Sequence, residues 1–207
     1  MKLAHGSLSL VLALALATPS FAVTRTRSMP LLGRTALSGY FGLGVPAGDF
    51  SSQALGLGNH DTPGYHWAVE VEHFFAPALS IGFAYKGARY EDKDLADSLR
   101  TNLMSWGGFL KYTVPTGTDF HPYLWFGMKG MEVEFDSPRE NVDADYSFAV
   151  DFGAGLAVML GRMVSINGAI GYAHGWTEEA YIPAADAIVG FDVSYWEFLG
   201  GLSFYFP

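Results

Sequence analysis

The sequence predicts an all-β chain closed into an up-and-down antiparallel barrel of eight strands. Three observations carry that prediction. The dominant hydrophobic period is two rather than 3.6, the connections between extended stretches alternate in length, and after the first 22 residues no apolar run is long enough for a spanning helix. Strands are expected near 35–45, 65–75, 78–89, 101–113, 122–134, 145–160, 163–176 and 191–206.

The first segment stands apart from the strands. In MKLAHGSLSLVLALALATPSFA, Lys2 opens a short charged start, Leu8 to Ala17 form an apolar stretch, and Ser20 and Ala22 make a small-x-small ending. That is the pattern of a cleaved secretory signal peptide over residues 1–22, and its apolar core is shorter than the roughly 18–20 residues of a membrane anchor. Residues 23–34, VTRTRSMPLLGR, show no period and read as a short tail belonging to no core. Residues 35–207 are then the barrel domain.

Long polar connections follow the first, third, fifth and seventh strands: PAGDFSSQALGLGNHDTPG, YEDKDLADSLR, DSPRENVDA and TEEAYIPAADAIVG. Shorter ones, AP, PTGTDFHP and GRM, follow the second, fourth and sixth. Short turns on one rim and long loops on the other, with an even strand count, characterise bacterial outer-membrane barrels, whose short turns lie in the periplasm.

Within the strands, alternation divides two faces. In the second, Trp67, Val69, Val71 and Phe75 oppose Ala68, Glu70, Glu72 and Phe74; in the sixth, Phe148, Val150, Phe152, Leu156 and Val158 oppose Ser147, Asp151, Gly153 and Gly155. The last strand sets Trp196, Phe198, Leu202, Phe204 and Phe206 against Glu197, Gly201 and Ser203. A soluble ligand-binding barrel alternates too, with its apolar face inward, so the period alone leaves both arrangements open. Two features favour lipid outside. Aromatic residues gather toward strand ends, with Trp67, Tyr85, Tyr172, Trp176 and Trp196 toward the long-loop rim and Tyr112 toward the short-turn rim, as in an interfacial girdle. The other face is rich in small residues with scattered charge, which suits a narrow interior.

Composition agrees. The 25 glycines and 15% aromatic residues suit a crowded, curved sheet, and the absence of cysteine removes disulfides and thiolate metal sites. A formal net charge of -9 without a basic stripe excludes nucleic acid as a partner.

Residues 35–206 resemble the outer-membrane protein beta-barrel family, the small eight-stranded barrels of the OmpA, OmpX and OmpW type. The resemblance is carried by GYFGLGVPAGDF, HPYLWFGMKG, VDFGAGLAVML and the aromatic last strand. It implies an outer-membrane address in a Gram-negative envelope. It also implies a C-terminal signal for the barrel-assembly machinery, matched here by Gly201, Phe204 and Phe206; Leu199 stands where the family has a polar residue, and Pro207 follows the usual final aromatic.

With this phase, Glu70, Glu72, Lys86, Lys111, Lys129, Asp151, Asn167 and Glu197 all point into the lumen. An eight-stranded interior is just filled by side chains, so these groups are read as an ion-pair network rather than the lining of a passage. The same phase turns Glu132 and Glu134 outward, so either a bulge near Gly130 switches the face or, as preferred, both stand above the membrane.

No catalytic residue is expected. His60 with Asp61, and His174 near Glu178 and Glu179, lack a nucleophile and base held by a third group, and His66, His73 and His121 read as interfacial. Asp92, Asp94, Asp143 and Asp145 form an acidic outer rim without the glycine and terminal glutamate of a calcium loop, so no metal or cofactor is expected. The expected role is structural or surface-interacting, with lipid, lipopolysaccharide and the assembly machinery as partners and the oligomeric state open. Alternatives are a narrow channel for small solutes or apolar molecules, then a lipid-modifying rim enzyme or a soluble ligand-binding barrel.

Overall fold

A computed structural model describes residues 31–51, 62–91, 100–136, 141–176, 180–182, 187–189 and 192–207. Residues 1–30, His60, Asp61, Asp92, Asp94, Glu178 and Glu179 lie outside the described residues, as do the side chains of Asp143 and Asp145. Among the described residues no helix is long and apolar enough to cross a membrane.

Eight strands close the barrel: β1 (Thr35–Ala47), β2 (Gly64–Phe74), β3 (Leu79–Glu91), β4 (Arg100–Thr113), β5 (Phe120–Asp136), β6 (Asn141–Met159), β7 (Val164–Trp176) and β10 (Asp192–Phe206). Each pairs antiparallel with its neighbour, and β10 closes the cylinder on β1. A small separate hairpin, β8 (Ala180–Ile182) with β9 (Ala187–Val189), was not foreseen and lies in the last long connection.

Register fixes the shape. Leu37 pairs with Val71, which leads through Phe83, Gly108, Met128, Val150, His174 and Ser194 back to Ala47. One circuit therefore climbs ten residues of β1. Eight strands with that stagger tilt by roughly 35–45° and leave an interior that side chains fill.

Alternation places the large apolar side chains outside: Leu37, Phe41, Val69, Phe83, Leu110, Phe126, Phe152, Ile166, Phe198 and Leu202 are all exposed on the wall. So much exposed apolar surface demands lipid rather than water. The inner face carries small and polar groups instead.

Both mouths of this interior are stoppered. At the short-turn rim, Gly33 at φ 76° turns the chain so that its N–H reaches the Phe74 carbonyl, and Leu31 enters the lumen at 6% exposure. There it packs with Ala36, Phe74, Met159 and Tyr205. This corrects the expectation that the segment before β1 belongs to no core: an aperiodic stretch carries no signal of where it turns back. At the opposite rim a 3-10 turn, Gly48–Ser51, brings Phe50 inside at 4% exposure, edge-on to Tyr90 with centroids 5.1 Å apart. Leu103, Met131, Val133, Val193 and Tyr195 complete that apolar stopper.

The register shift in the wall falls between Met131 and Val133 of β5, where β6 carries the extra residue: Met131 faces Ser147 and Val133 faces Ala144. β5 therefore keeps its phase. Glu132 and Glu134 remain outward at its outer end, Glu134 beside Asn102 near the start of β4, which agrees with the reading that needs no switch of face.

Candidate functional site

Between the two stoppers the lumen holds its charges in two layers. In the outer layer, Lys86 on β3 reaches Asp151 at 2.9 Å and Glu197 at 2.7 Å. Lys129 on β5 meets the same Asp151 oxygen, and Trp125 Nε1 donates to it at 3.3 Å. His66 Nε2 lies 3.6 Å from the other Glu197 oxygen, with its ring edge-on to Tyr195. Room for this cluster comes from glycine. A Cβ on Gly127 would strike the Asp151 carboxylate, and one on Gly171 would crowd Glu197 and Trp125.

The inner layer is simpler. Lys111 on β4 stands between Glu72 at 3.0 Å and Glu70 at 3.4 Å, both on β2, and Ser80 Oγ donates to Glu72 at 2.6 Å. The Lys111 ammonium also lies over the Phe109 and Tyr123 rings, 5.0 and 5.1 Å from their centroids. Beneath it, Asn167 donates to Ser203 Oγ at 2.6 Å and accepts from Ser165 at 3.0 Å, while Ser38 and Ser203 share a 2.6 Å bond. Asn167 thus belongs to a neutral hydrogen-bonded shelf rather than to an ion pair.

The interior is nearly full. Two voids of about 10 Å³ each border Lys111, the second lying between the layers and also touching Lys86 and Glu197, and each has room for about one water molecule.

His66 and His121 are residues that sequence reading misplaced, and His66 is the clearer case. It is fully buried in the lumen, not interfacial, because it shares its face with Ala68, Glu70 and Glu72; nearness to a strand end was weighed above parity. His121 is likewise buried, at the inner mouth, whereas His73 is exposed. His174 Nδ1 lies 2.7 Å from Ser194 Oγ, and its Nε2 lies 4.0 Å from Asp192. Ser194 itself is buried, beside Gly48, so these groups join the wall to the 3-10 turn.

The aromatic girdle gathers into contacts at the outer end. Trp67 lies over Gly87 and meets Tyr85 at 5.4 Å, Tyr172 meets Trp196 at 5.1 Å, and Trp176 stacks on Phe148 at 5.9 Å. Tyr85 stands at the middle of β3 rather than at its end, and joins the group through Trp67. Tyr112 is exposed at the inner end of β4. Of the three residues expected to form an assembly signal, Phe204 and Phe206 face outward near the end of β10, and Gly201 lies under the Tyr40 ring. Leu199 faces inward against Tyr40 and Ala68, so its departure from a polar residue fits the packing there.

The outer membrane protein beta-barrel domain matches this sequence over residues 8–206. The chain belongs to that family. Among solved structures, outer-membrane barrels share its fold. Neisserial surface protein A superposes with a TM-score of 0.61 at 15% identity, covering 84% of this chain and 99% of that one. OprG from Pseudomonas aeruginosa gives 0.61 at 14%, covering 87% and 99%. Ail, the attachment invasion locus protein of Yersinia pestis, gives 0.54 at 11%, covering 84% and 99%. No curated protein matches by sequence. Family membership and the apolar wall together make this an outer-membrane barrel, which excludes the soluble ligand-binding alternative.

Proposed function

We propose that this barrel is non-catalytic and acts through its exterior, as an envelope-structural protein that displays acidic loops for surface interaction. The observation that carries this reading is the filled lumen: Leu31 stops one mouth, Phe50 and its apolar neighbours stop the other, and paired charges occupy the space between. A passage for solutes needs a wider cylinder, usually of 16 or more strands. One fold relative bears the name surface protein and another that of an attachment invasion locus, which lends precedent to an outward role.

On this reading the partners are lipid along the wall, lipopolysaccharide at the outer rim, bridged by divalent cations to the acidic loops, and the barrel-assembly machinery at Gly201, Phe204 and Phe206. Delivery across the inner membrane falls to the signal peptide of residues 1–22. The test is conductance in planar bilayers, with the barrel purified from outer membranes of expressing cells. A silent bilayer is expected. Discrete current steps would overturn the reading in favour of a narrow channel.

A further inference from the structure

At the inner rim, two arginines 128 residues apart in sequence are brought together: Arg34 Nη1 donates to the Arg162 carbonyl at 2.8 Å. Arg34 is held by a fixed backbone, because its N–H bonds to the Leu31 carbonyl and its own carbonyl accepts from Phe74 N. Arg162 is exposed in the turn between β6 and β7. The end of β10 lies between them: Phe206 pairs with Thr35 on one side, and Phe204 pairs with Val164 on the other. Arg34 therefore reaches across the terminus of the strand that closes the barrel.

Among the described residues neither arginine forms an ion pair. Asp119, whose carbonyl accepts from Met159 N at the adjoining turn, pairs with neither. The outer rim differs. There Arg89 lies 3.2 Å and Arg100 3.8 Å from Glu91, so these two cations are answered within the protein. The Arg34 side chain is tied to the Arg162 main chain, so one short stretch of rim carries both positive charges, and an anion there is attracted by both. Around them Leu32, Leu160, Met163 and Phe206 are exposed, an apolar surface suited to acyl chains. Since the short turns of such barrels face the periplasm, this rim lies at the phosphate level of the inner leaflet.

We propose that Arg34 and Arg162 dock the phosphate of an anionic phospholipid of the inner leaflet, with its acyl chains against Leu160, Met163 and Phe206. A planar guanidinium matches phosphate oxygens in geometry and charge, and Arg34 is positioned for it in advance by the turn that inserts Leu31. The bound lipid spans the end of β10 and holds it against both neighbours.

The experiment uses the full barrel, purified from membranes into mixed micelles of phosphatidylethanolamine and phosphatidylglycerol, with retained lipid counted by native mass spectrometry. Wild type is expected to retain phosphatidylglycerol in preference. Arg162→Gln leaves the Arg34 bond to the main-chain carbonyl in place and should lower that retention about fivefold, the effect of one surface arginine near anionic lipid. Arg34→Gln with Arg162→Gln should abolish the preference, Arg162→Lys should keep most of it, and Arg89→Gln with Arg100→Gln should leave it unchanged. Equal retention in wild type and Arg162→Gln overturns the proposal. So does displacement of phosphatidylglycerol by millimolar inorganic phosphate, which would mark a site for the free ion. Heat modifiability on a cold gel confirms that each variant is folded, and Arg162→Gln decides alone if the double variant is not.

Discussion

The two ionic layers of the lumen differ in how their charges are held. In the outer one, two ammonium groups and an indole N–H converge on a single oxygen of Asp151, Glu197 answers the surplus cation, and every charged group is almost wholly buried. In the inner one, a single lysine stands between two glutamates, Glu70 keeps 13% of its side chain exposed, and both small voids border Lys111. One void also touches Lys86 and Glu197, but neither void borders Asp151 or Lys129. At that pair the first layer leaves a disturbed group nowhere to turn, whereas the second can admit water. Burial of an ion pair is costly, and its loss of one partner costlier, in proportion to how little solvent can replace that partner.

The largest effect is therefore expected for Asp151→Ala, which leaves buried Lys129 without its carboxylate and Lys86 with Glu197 alone, and should destabilise the barrel by about 3–5 kcal/mol. Urea unfolding in detergent micelles, followed by tryptophan fluorescence, measures it. Lys111→Met leaves Glu72 with its Ser80 bond and Glu70 with access to a void, so the loss should be smaller, about 2–3 kcal/mol. If Lys111→Met cost as much as Asp151→Ala, the distinction between a sealed and a yielding layer would fail.

Much of this was legible in the sequence, for a definite reason. Period-two alternation is a local property, so Glu70, Glu72, Lys86, Lys111, Lys129, Asp151 and Glu197 declare their face without any knowledge of neighbours. Which lysine meets which carboxylate is not local. It depends on the ten-residue climb of the register, which brings Lys86 on β3 level with Asp151 on β6 and Glu197 on β10 across the lumen. Leu31 and Phe50 were invisible for a different reason. Each sits in a stretch without periodicity, and its insertion follows from a backbone reversal, at Gly33 in one case and Gly48 in the other. The side of the register shift was hidden too, since the extra residue belongs to β6 while the charges that raised the question belong to β5.

The stoppers extend the same comparison, for the inner one lies beside the yielding layer. Leu31→Ala should cost about 2 kcal/mol, the low end for a buried leucine, because the vacated volume at the mouth can fill with water. The urea midpoint should fall accordingly while conductance stays absent, since the charged layers and the Phe50 cluster still close the lumen. Conductance in Leu31→Ala would mean that the inner layer does not seal, and that Leu31 alone holds that end shut.

The smallest expected effect lies on the neutral shelf. Ser203 Oγ links Asn167 to Ser38, each at 2.6 Å, and Ser165 ties Asn167 toward Tyr205. Ser203→Ala removes two of these bonds but creates no unpaired charge, and Asn167 keeps its bond from Ser165. The cost should be about 1 kcal/mol, that of an ordinary hydrogen-bonded hydroxyl. The adjoining void of about 10 Å³ is lined by both Ser203 and Asn167, so one water can take over the freed Asn167 amide. A loss comparable to that of Asp151→Ala would show instead that the shelf is as closed to solvent as the outer layer, and that charge is not what separates the two ends of this lumen.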